Sequence, residues 1–315
     1  MKGMWISVVN FPRNWIFLLC VWCWLSGPIS ARASLTMTQD FPILKGPYLG
    51  QDPPGDTPEL FAPGIISTCT QHSSVYFSAD GRALVFSRMA PRPSVILYMQ
   101  EVDGAWTPPQ VISEGLTPFL TSDGKRIFYS TWSLWIVDRT DQGWGVPREL
   151  GPAVNFQRRQ DGPSVTRDGT LYFCSMRGDR DGIYRARFQD GRYSQRMKIG
   201  GGVNSPHVDG MPYIAPDESY LIFTSFRPGS QGLGDLYVSF RGEGGAWSSP
   251  VNLGPKINTP AKERFPFVTC DGKYLFFMSN RISELNTARI PDGPGNVFWV
   301  DAALIPRLRR RVLGK

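Results

Sequence analysis

An aspartate-centred turn recurs five times in this chain, and its spacing constrains the fold more than any other feature. It stands at Ala79-Asp80-Gly81, Ser122-Asp123-Gly124, Arg167-Asp168-Gly169, Pro216-Asp217-Glu218 and Cys270-Asp271-Gly272. The aspartates lie 43, 45, 49 and 54 residues apart, the range of a supersecondary repeat. Asp-Gly between apolar runs marks a tight hairpin, because glycine accepts the positive φ such a turn needs. A β-rich run follows each turn: Ala83–Ser87, Arg126–Ser130, Leu171–Ser175, Leu221–Ser225 and Leu275–Ser279. A variable loop and a third strand come next, as in Asp235–Ser239 or Asn296–Val300. In four units an aromatic, Trp106, Trp144, Tyr193 or Trp247, marks a second hairpin, and Pro108, Pro147 and Pro250 introduce a last strand in three of them. Proline cannot donate to a ladder, so that strand belongs at a sheet edge. The 33 glycines and 27 prolines argue against a helical bundle, and 41% hydrophobic content is ample for a packed core. Four strands per unit with the last at an edge describe the blade of a β-propeller.

The fifth unit lacks a fourth strand after Trp299, and the missing piece lies at the other end of the chain. Pro58–Ile65 has the spacing of Pro250–Ile257, so the expectation is an all-β, five-bladed propeller closed by an N-terminal outer strand. Closure removes the open edges that otherwise invite aggregation. The alternative is six blades, with a further blade in 34–57. The run Ala215-Pro216-Asp217-Glu218-Ser219-Tyr220-Leu221-Ile222-Phe223, with Asp235-Leu236-Tyr237, resembles the TolB-like (WD-like) propeller repeats. Together the five units carry that resemblance over about residues 58–301. No Gly-His or Trp-Asp blade signature of true WD repeats accompanies it. The resemblance implies a propeller used for protein or small-ligand contact, without catalysis by default.

The formal charge of +7 suggests acidic partners only until it is located. Lys2, Arg13 and Arg32 flank the unbroken apolar stretch Trp15–Trp24, and Ala31-Arg32-Ala33 follows the Gly27-Pro28 break. That is the pattern of a cleaved signal peptide over 1–33, since ten apolar residues are too few to span a bilayer. Five more cations, Arg307, Arg309, Arg310, Arg311 and Lys315, crowd the end of the chain. The remainder is nearly neutral, so nucleic-acid binding loses its electrostatic basis. The expected organisation is a leader (1–33), a lead segment (34–57), the propeller (58–306) and a solvated basic tail (307–315). The expected location is periplasmic or secreted, with no transmembrane span in the mature chain. Cys69, Cys174 and Cys270 remain after processing, an odd number that leaves room for one disulfide at most.

Counting back eight residues from each turn aspartate reaches the loop that leads into each innermost strand. The positions are His72, Gly115, Gln160, Asp209 and Glu263, with Asp161 and Arg264 beside two of them. Four of the five are polar, so His72, Gln160, Asp161, Asp209, Glu263 and Arg264 are the candidate residues for a ligand or partner at one mouth. A solvated loop surface is the alternative. A strand-end arginine recurs at Arg88, Arg177, Arg227 and Arg281, with Asp181 following Arg177 and Asp235 following Arg227. It reads either as a cationic ring or as an Arg–carboxylate fork that pins each long loop. Asn155, Asn204 and Asn258 recur at blade junctions and suit turn backbone groups, and the tryptophans suit packing between blades.

Enzyme motifs are missing from the sequence. With only His72 and His207, metal sites built on histidine pairs are not expected, and neither GxSxG nor a phosphate or dinucleotide loop occurs. No cofactor and no catalytic residue is assigned. The expectation is a non-catalytic exported propeller that binds a protein or envelope component through one mouth and its long loops. The rival is a glycan-active enzyme using Asp161, Asp209 and Glu263, which requires two of those carboxyl groups to face each other across a pocket.

Overall fold

The computed structural model describes residues 41–68, 75–89, 91–156, 159–176, 182–285, 287 and 295–314. The expected leader, His72, Cys69, Arg177 and Asp181 lie outside the described residues. Five antiparallel sheets follow one another, each ordered from the innermost strand outwards. Blade 1 is Tyr76–Phe77, Ala83–Arg88, Val95–Val102 and Gln110–Glu114. Blade 2 is Leu116–Leu120, Arg126–Ser130, Leu134–Thr140 and Arg148–Glu149. Blade 3 is Arg159–Val165, Leu171–Met176, Gly182–Ala186 and Met197–Lys198, and blade 4 is Asp209–Ile214, Tyr220–Ser225, Asp235–Phe240 and Val251–Asn252. Blade 5 takes three strands from its own unit, Glu263–Val268, Tyr274–Ser279 and Asn296–Asp301, and its outer strand, Glu59–Leu60, from the N-terminal side. The fold is therefore the five-bladed ring that the repeat predicts. Residues 41–57 hold one short 3-10 turn, Pro47–Gly50, and no strand.

Closure is local and specific. Glu59 pairs with Trp299 and Leu60 with Phe298, while the Phe61 N–H donates to the Val297 carbonyl at 2.8 Å. The Val297 N–H donates in turn to Ser67 Oγ at 3.1 Å. Phe61 is fully buried and sets its ring against Phe276 and Trp299 of blade 5 and Phe77 of blade 1, at 5.0, 5.1 and 6.0 Å. Trp144 packs edge-on against Tyr98 of the preceding blade and Trp247 against Tyr172, so these rings fill the seams between blades.

Two backbone devices repeat. At each turn the aspartate Oδ1 accepts the N–H two residues on, from Arg82, Lys125, Thr170, Ser219 and Lys273 in order, at 3.0–3.1 Å. In four turns a hydroxyl two residues earlier also donates to that oxygen: Ser78, Thr121, Thr166 and Thr269. Blade 4 has Ala215 there and lacks the bond. The second device is a bulge in the innermost strands of blades 2 to 5, where the pairing slips by one residue. Its pivots are Thr117, Gly162, Met211 and Phe265, with φ of 44°, 58°, 50° and 53°. Each is followed by proline, at Pro118, Pro163, Pro212 and Pro266. An extra residue in one strand leaves its neighbour outside the ladder, which is where proline is tolerated in an otherwise central strand.

The basic run at the end of the chain is helical, with its arginines exposed to solvent. Leu304–Leu313 is an α-helix closed by Gly314 in the left-handed conformation. Pro306 falls in its first turn, where a missing N–H costs nothing. Ile305 is buried, and Leu304, Leu308, Val312 and Leu313 pack against the main core. Among the described residues no helix is long and apolar enough to cross a membrane.

Candidate functional site

Strand alternation puts two sets of loops at the same end of the ring: those leading into the innermost strands and those joining second to third strands. We call that end the upper mouth, and the aspartate turns lie at the other end. Four candidate residues, Gln160, Asp161, Asp209 and Glu263, begin innermost strands here, and all four are buried.

Blades 4 and 5 hold their acids in the same clasp. Asp209 stands opposite Ser225 and Glu263 opposite Ser279 in the ladder. Ser225 Oγ donates to Asp209 at 2.6 Å and Ser279 Oγ to Glu263 at 2.8 Å. The arginine two residues beyond each serine closes the clasp: Arg227 meets Asp209 at 2.8 Å and Arg281 meets Glu263 at 3.2 Å. A residue four before the acid completes it, with Ser205 and Thr259 each donating a hydroxyl and an N–H to the carboxylate. The same guanidinium reaches a carbonyl of the junction loop, Val203 in one blade and Ile257 in the other. Each arginine also lies against the rings of its own blade, Arg227 on Phe223 and Tyr237 and Arg281 on Phe277 and Phe298. Arg227 therefore pairs with Asp209, not with the expected Asp235. That aspartate instead accepts the N–H groups of Gln231 and Gly232 and the Asn252 amide, which fixes the second-to-third loop of its blade.

Blades 2 and 3 share a modified clasp. Gly115 takes the acid's place in blade 2, so Ser130 has no carboxylate in its own blade. Asp161 crosses from blade 3 and accepts both Ser130 Oγ at 2.7 Å and Thr117 Oγ1 at 2.5 Å. Its other oxygen holds Arg159 at 2.6 Å. Gln160 fills the acid position of blade 3, opposite Ser175. Its amide Nε2 has no acceptor among the described residues. The junction asparagines behave alike: Asn155, Asn204 and Asn258 each accept one N–H and return a bond to the same residue's carbonyl, at Leu134, Ile183 and Leu236.

The electrostatics follow from burial. Desolvation pushes the Glu263 carboxyl above the ordinary glutamate range, against its hydrogen bonds and the Arg281 charge. Burial, with the Asp161 charge nearby, pushes the Cys174 thiol up to about 12. Cys174 and Cys270 are free thiols. A raised carboxyl pKa suits a general acid, yet Glu263 Oε1 receives Ser279, Thr259 and Arg281 together and Oε2 receives the Thr259 N–H. The three acids are thus each bound within arginine clasps of the blade walls. Among the described residues no cluster of His, Cys, Asp and Glu could hold a metal ion. A cavity of about 520 Å³ on the outer rim of blade 3 is lined by Arg185, Arg187, Ser194, Gln195, Arg196 and Met197, with no acid–base pair in it.

The upper mouth also exposes large apolar side chains beside polar ones such as His207, Gln231 and Glu284. Trp132 sits in the second-to-third loop of blade 2, at the position that carries arginine in the sequence of units 3, 4 and 5. It is 60% exposed and has φ 93°, a strained value for a bulky side chain. The Arg159 guanidinium lies 5.4 Å from its ring centre, and its carbonyl accepts the Gln160 N–H at 3.0 Å. Val208, Phe226, Leu233 and Ile282 are also exposed on loops of this end, and Arg264 lies 5.5 Å from the Phe226 ring. Sequence reasoning missed these residues. The available signal was Trp132 standing where three other units have arginine, at Arg177, Arg227 and Arg281.

No family model matches the chain, and no curated protein matches it. Its fold is that of the β-propellers, and solved structures similar to it carry varied functions. A putative TolB from Agrobacterium tumefaciens is 18% identical over 74% of this chain and 78% of its own, with a TM-score of 0.49. An alpha-L-arabinofuranosidase from Lactobacillus brevis is 12% identical, covering 75% and 91%, with a TM-score of 0.50. A gluconolactonase from Xanthomonas campestris is 15% identical, covering 82% and 97%, with a TM-score of 0.49. Identities this low speak to the fold and leave function open.

Proposed function

We propose that this chain is an exported, non-catalytic propeller of TolB-like repeats whose upper mouth binds a protein or another component of the cell envelope. The observation that carries the reading is the gathering of Trp132, Val208, Phe226, Leu233 and Ile282, all exposed, on loops of one end. Exposed apolar groups with tryptophan and arginine among them are the composition of recognition surfaces. The clasped acids support the same reading from beneath. Asp161, Asp209, Glu263 and Gln160 act as the wall that sets the loops, and Arg264 and Arg159 flank the exposed rings. His72 belongs to the same set of loop positions by sequence.

The test uses exposed residues, because alanine at Asp209 or Glu263 would strand a buried arginine and damage the fold. A Trp132→Ser/Phe226→Ser/Ile282→Ser triple is compared with wild type for recovery of partners from envelope extract. A control triple changes Val111, Val146 and Met197 to serine, all exposed on outer strands or the outer rim. Loss of specific partners in the mouth triple alone is the expected result. Unchanged recovery, or equal loss in both triples, would sink the proposed mouth.

A further inference from the structure

The C-terminal helix presents a charged face to solvent. Its apolar side, Leu304, Ile305, Leu308 and Val312, is spent on the propeller. Arg307, Arg309, Arg310 and Arg311 are all exposed. None forms an ion pair among the described residues. Arg307 lies within electrostatic range of Asp56, which is hydrogen-bonded to Lys256, and Arg309 within range of Asp217, which is held in its turn. Arg307, Arg310 and Arg311 stand at i, i+3 and i+4, the spacing that puts them side by side on one stripe, where like charges oppose helix formation. The last two gain from the helix C-terminus and Arg307 from the Asp56 charge, but these are weak, solvent-screened gains for side chains left exposed. Every cation here is arginine, whose planar fork matches phosphate oxygens in pairs.

We propose that this helix face is a docking surface for an anionic phospholipid bilayer, held by contact between the arginine stripe and headgroup phosphates. Charge complementarity and shape carry the choice. The patch is convex, only about one helical turn long (four residues at ~1.5 Å each), and set in a body of nearly neutral composition. That suits a surface with phosphates everywhere better than a duplex, which needs a longer basic track. The apolar side of the helix is already buried, so contact is electrostatic and reversible and nothing inserts.

Co-sedimentation of the whole chain with vesicles tests this. One set is equal parts phosphatidylglycerol and phosphatidylcholine, another is phosphatidylcholine alone, and a duplex DNA arm runs at the same ionic strength. Binding to the anionic vesicles is expected, weakened by added salt, with little binding to neutral ones. Each arginine on such a surface is worth roughly fivefold in partition, so an Arg307→Gln/Arg310→Gln/Arg311→Gln triple should lose about a hundredfold. These side chains are exposed, and an unchanged melting curve confirms that the triple is folded. Equal binding of triple and wild type, equal binding to neutral vesicles, or tighter binding to DNA than to anionic vesicles overturns the proposal.

Discussion

The acids that looked functional in the sequence are held by arginine, hydroxyl and backbone donors at single-residue precision. Arg227 and Asp209 expose 14% and 1% of their side chains, so cutting one partner leaves the other charged and dry. Arg227→Ala should cost about 3–5 kcal/mol in urea unfolding, and the Asp209→Ala/Arg227→Ala double much less than the sum of the singles. Additive losses would show that the clasp is not a coupled unit. The pH dependence runs through the turn aspartates. Hydroxyl donation, from Ser78 and Thr166 respectively, holds Asp80 and Asp168 below the ordinary 3.8. Asp123 and Asp271 are also lowered, their hydroxyl and backbone bonds outweighing burial. Groups with a depressed folded pKa stabilise above their unfolded value, and that support is lost as pH falls through the folded one. Glu263 has the opposite sign, since its raised pKa favours the fold at low pH and the benefit fades above 4.5. All five turn aspartates, Asp217 included, and Asp56 beside Lys256 are depressed against one raised carboxyl, which predicts a melting temperature that drops steeply below about pH 4. A flat profile between pH 5 and pH 2.5 would contradict this.

At the scale of the element, the recurring parts were legible and their exceptions were not. The Asp-Gly spacing and the β-rich runs are local signals, so strand number, order and the outer-strand closure could be read directly. Which acid meets Arg227 depends on ladder register across 18 residues, and no local rule ties them. The signal existed as a double repeat, Ser205 before Asp209 with Ser225 before Arg227, matched by Thr259, Glu263, Ser279 and Arg281. Pro118, Pro163, Pro212 and Pro266 sit in innermost strands only because of the bulge beside each, and that bulge is invisible without pairing. The arginine run read as a tail because charge hid its apolar i, i+4 row, Leu304, Leu308 and Val312. One exception yields a design. Ala215 is the single turn position without the hydroxyl found at Ser78, Thr121, Thr166 and Thr269. Ala215→Ser should therefore add one hydrogen bond and about 1 kcal/mol, read as a higher denaturant midpoint. Conversely, Gly162→Ala should destabilise, since the added Cβ would lie 3.0 Å from Met211 Cα at φ 58°. A neutral result at Gly162 would mean the bulge can relax.

For the whole molecule, the ring depends on two residues borrowed from the far end of the chain. Removing everything before Ala62 deletes Phe61 from the seam between blades 1 and 5 and bares the edge of Asn296–Asp301. The expected outcome is a large fall in melting temperature with self-association in size-exclusion chromatography. A monomer with wild-type stability would show that four-strand blades are not needed here.

That borrowed strand also orders events in time. Ser67 and Val297, bonded in the finished ring, are 230 residues apart. At ribosomal rates of ~5–20 residues per second, the first segment waits on the order of 10–50 s for its partner to exist. Through that interval Leu60 and Phe61 have no blade to enter, and four blades stand as an open arc. A nascent chain held until its last strand emerges escapes that exposure, while one released early carries an unpaired strand at one end and an unfilled slot at the other. Such a half-finished molecule can complete its neighbour as readily as itself, which makes strand exchange between copies the characteristic misfolding hazard of this design.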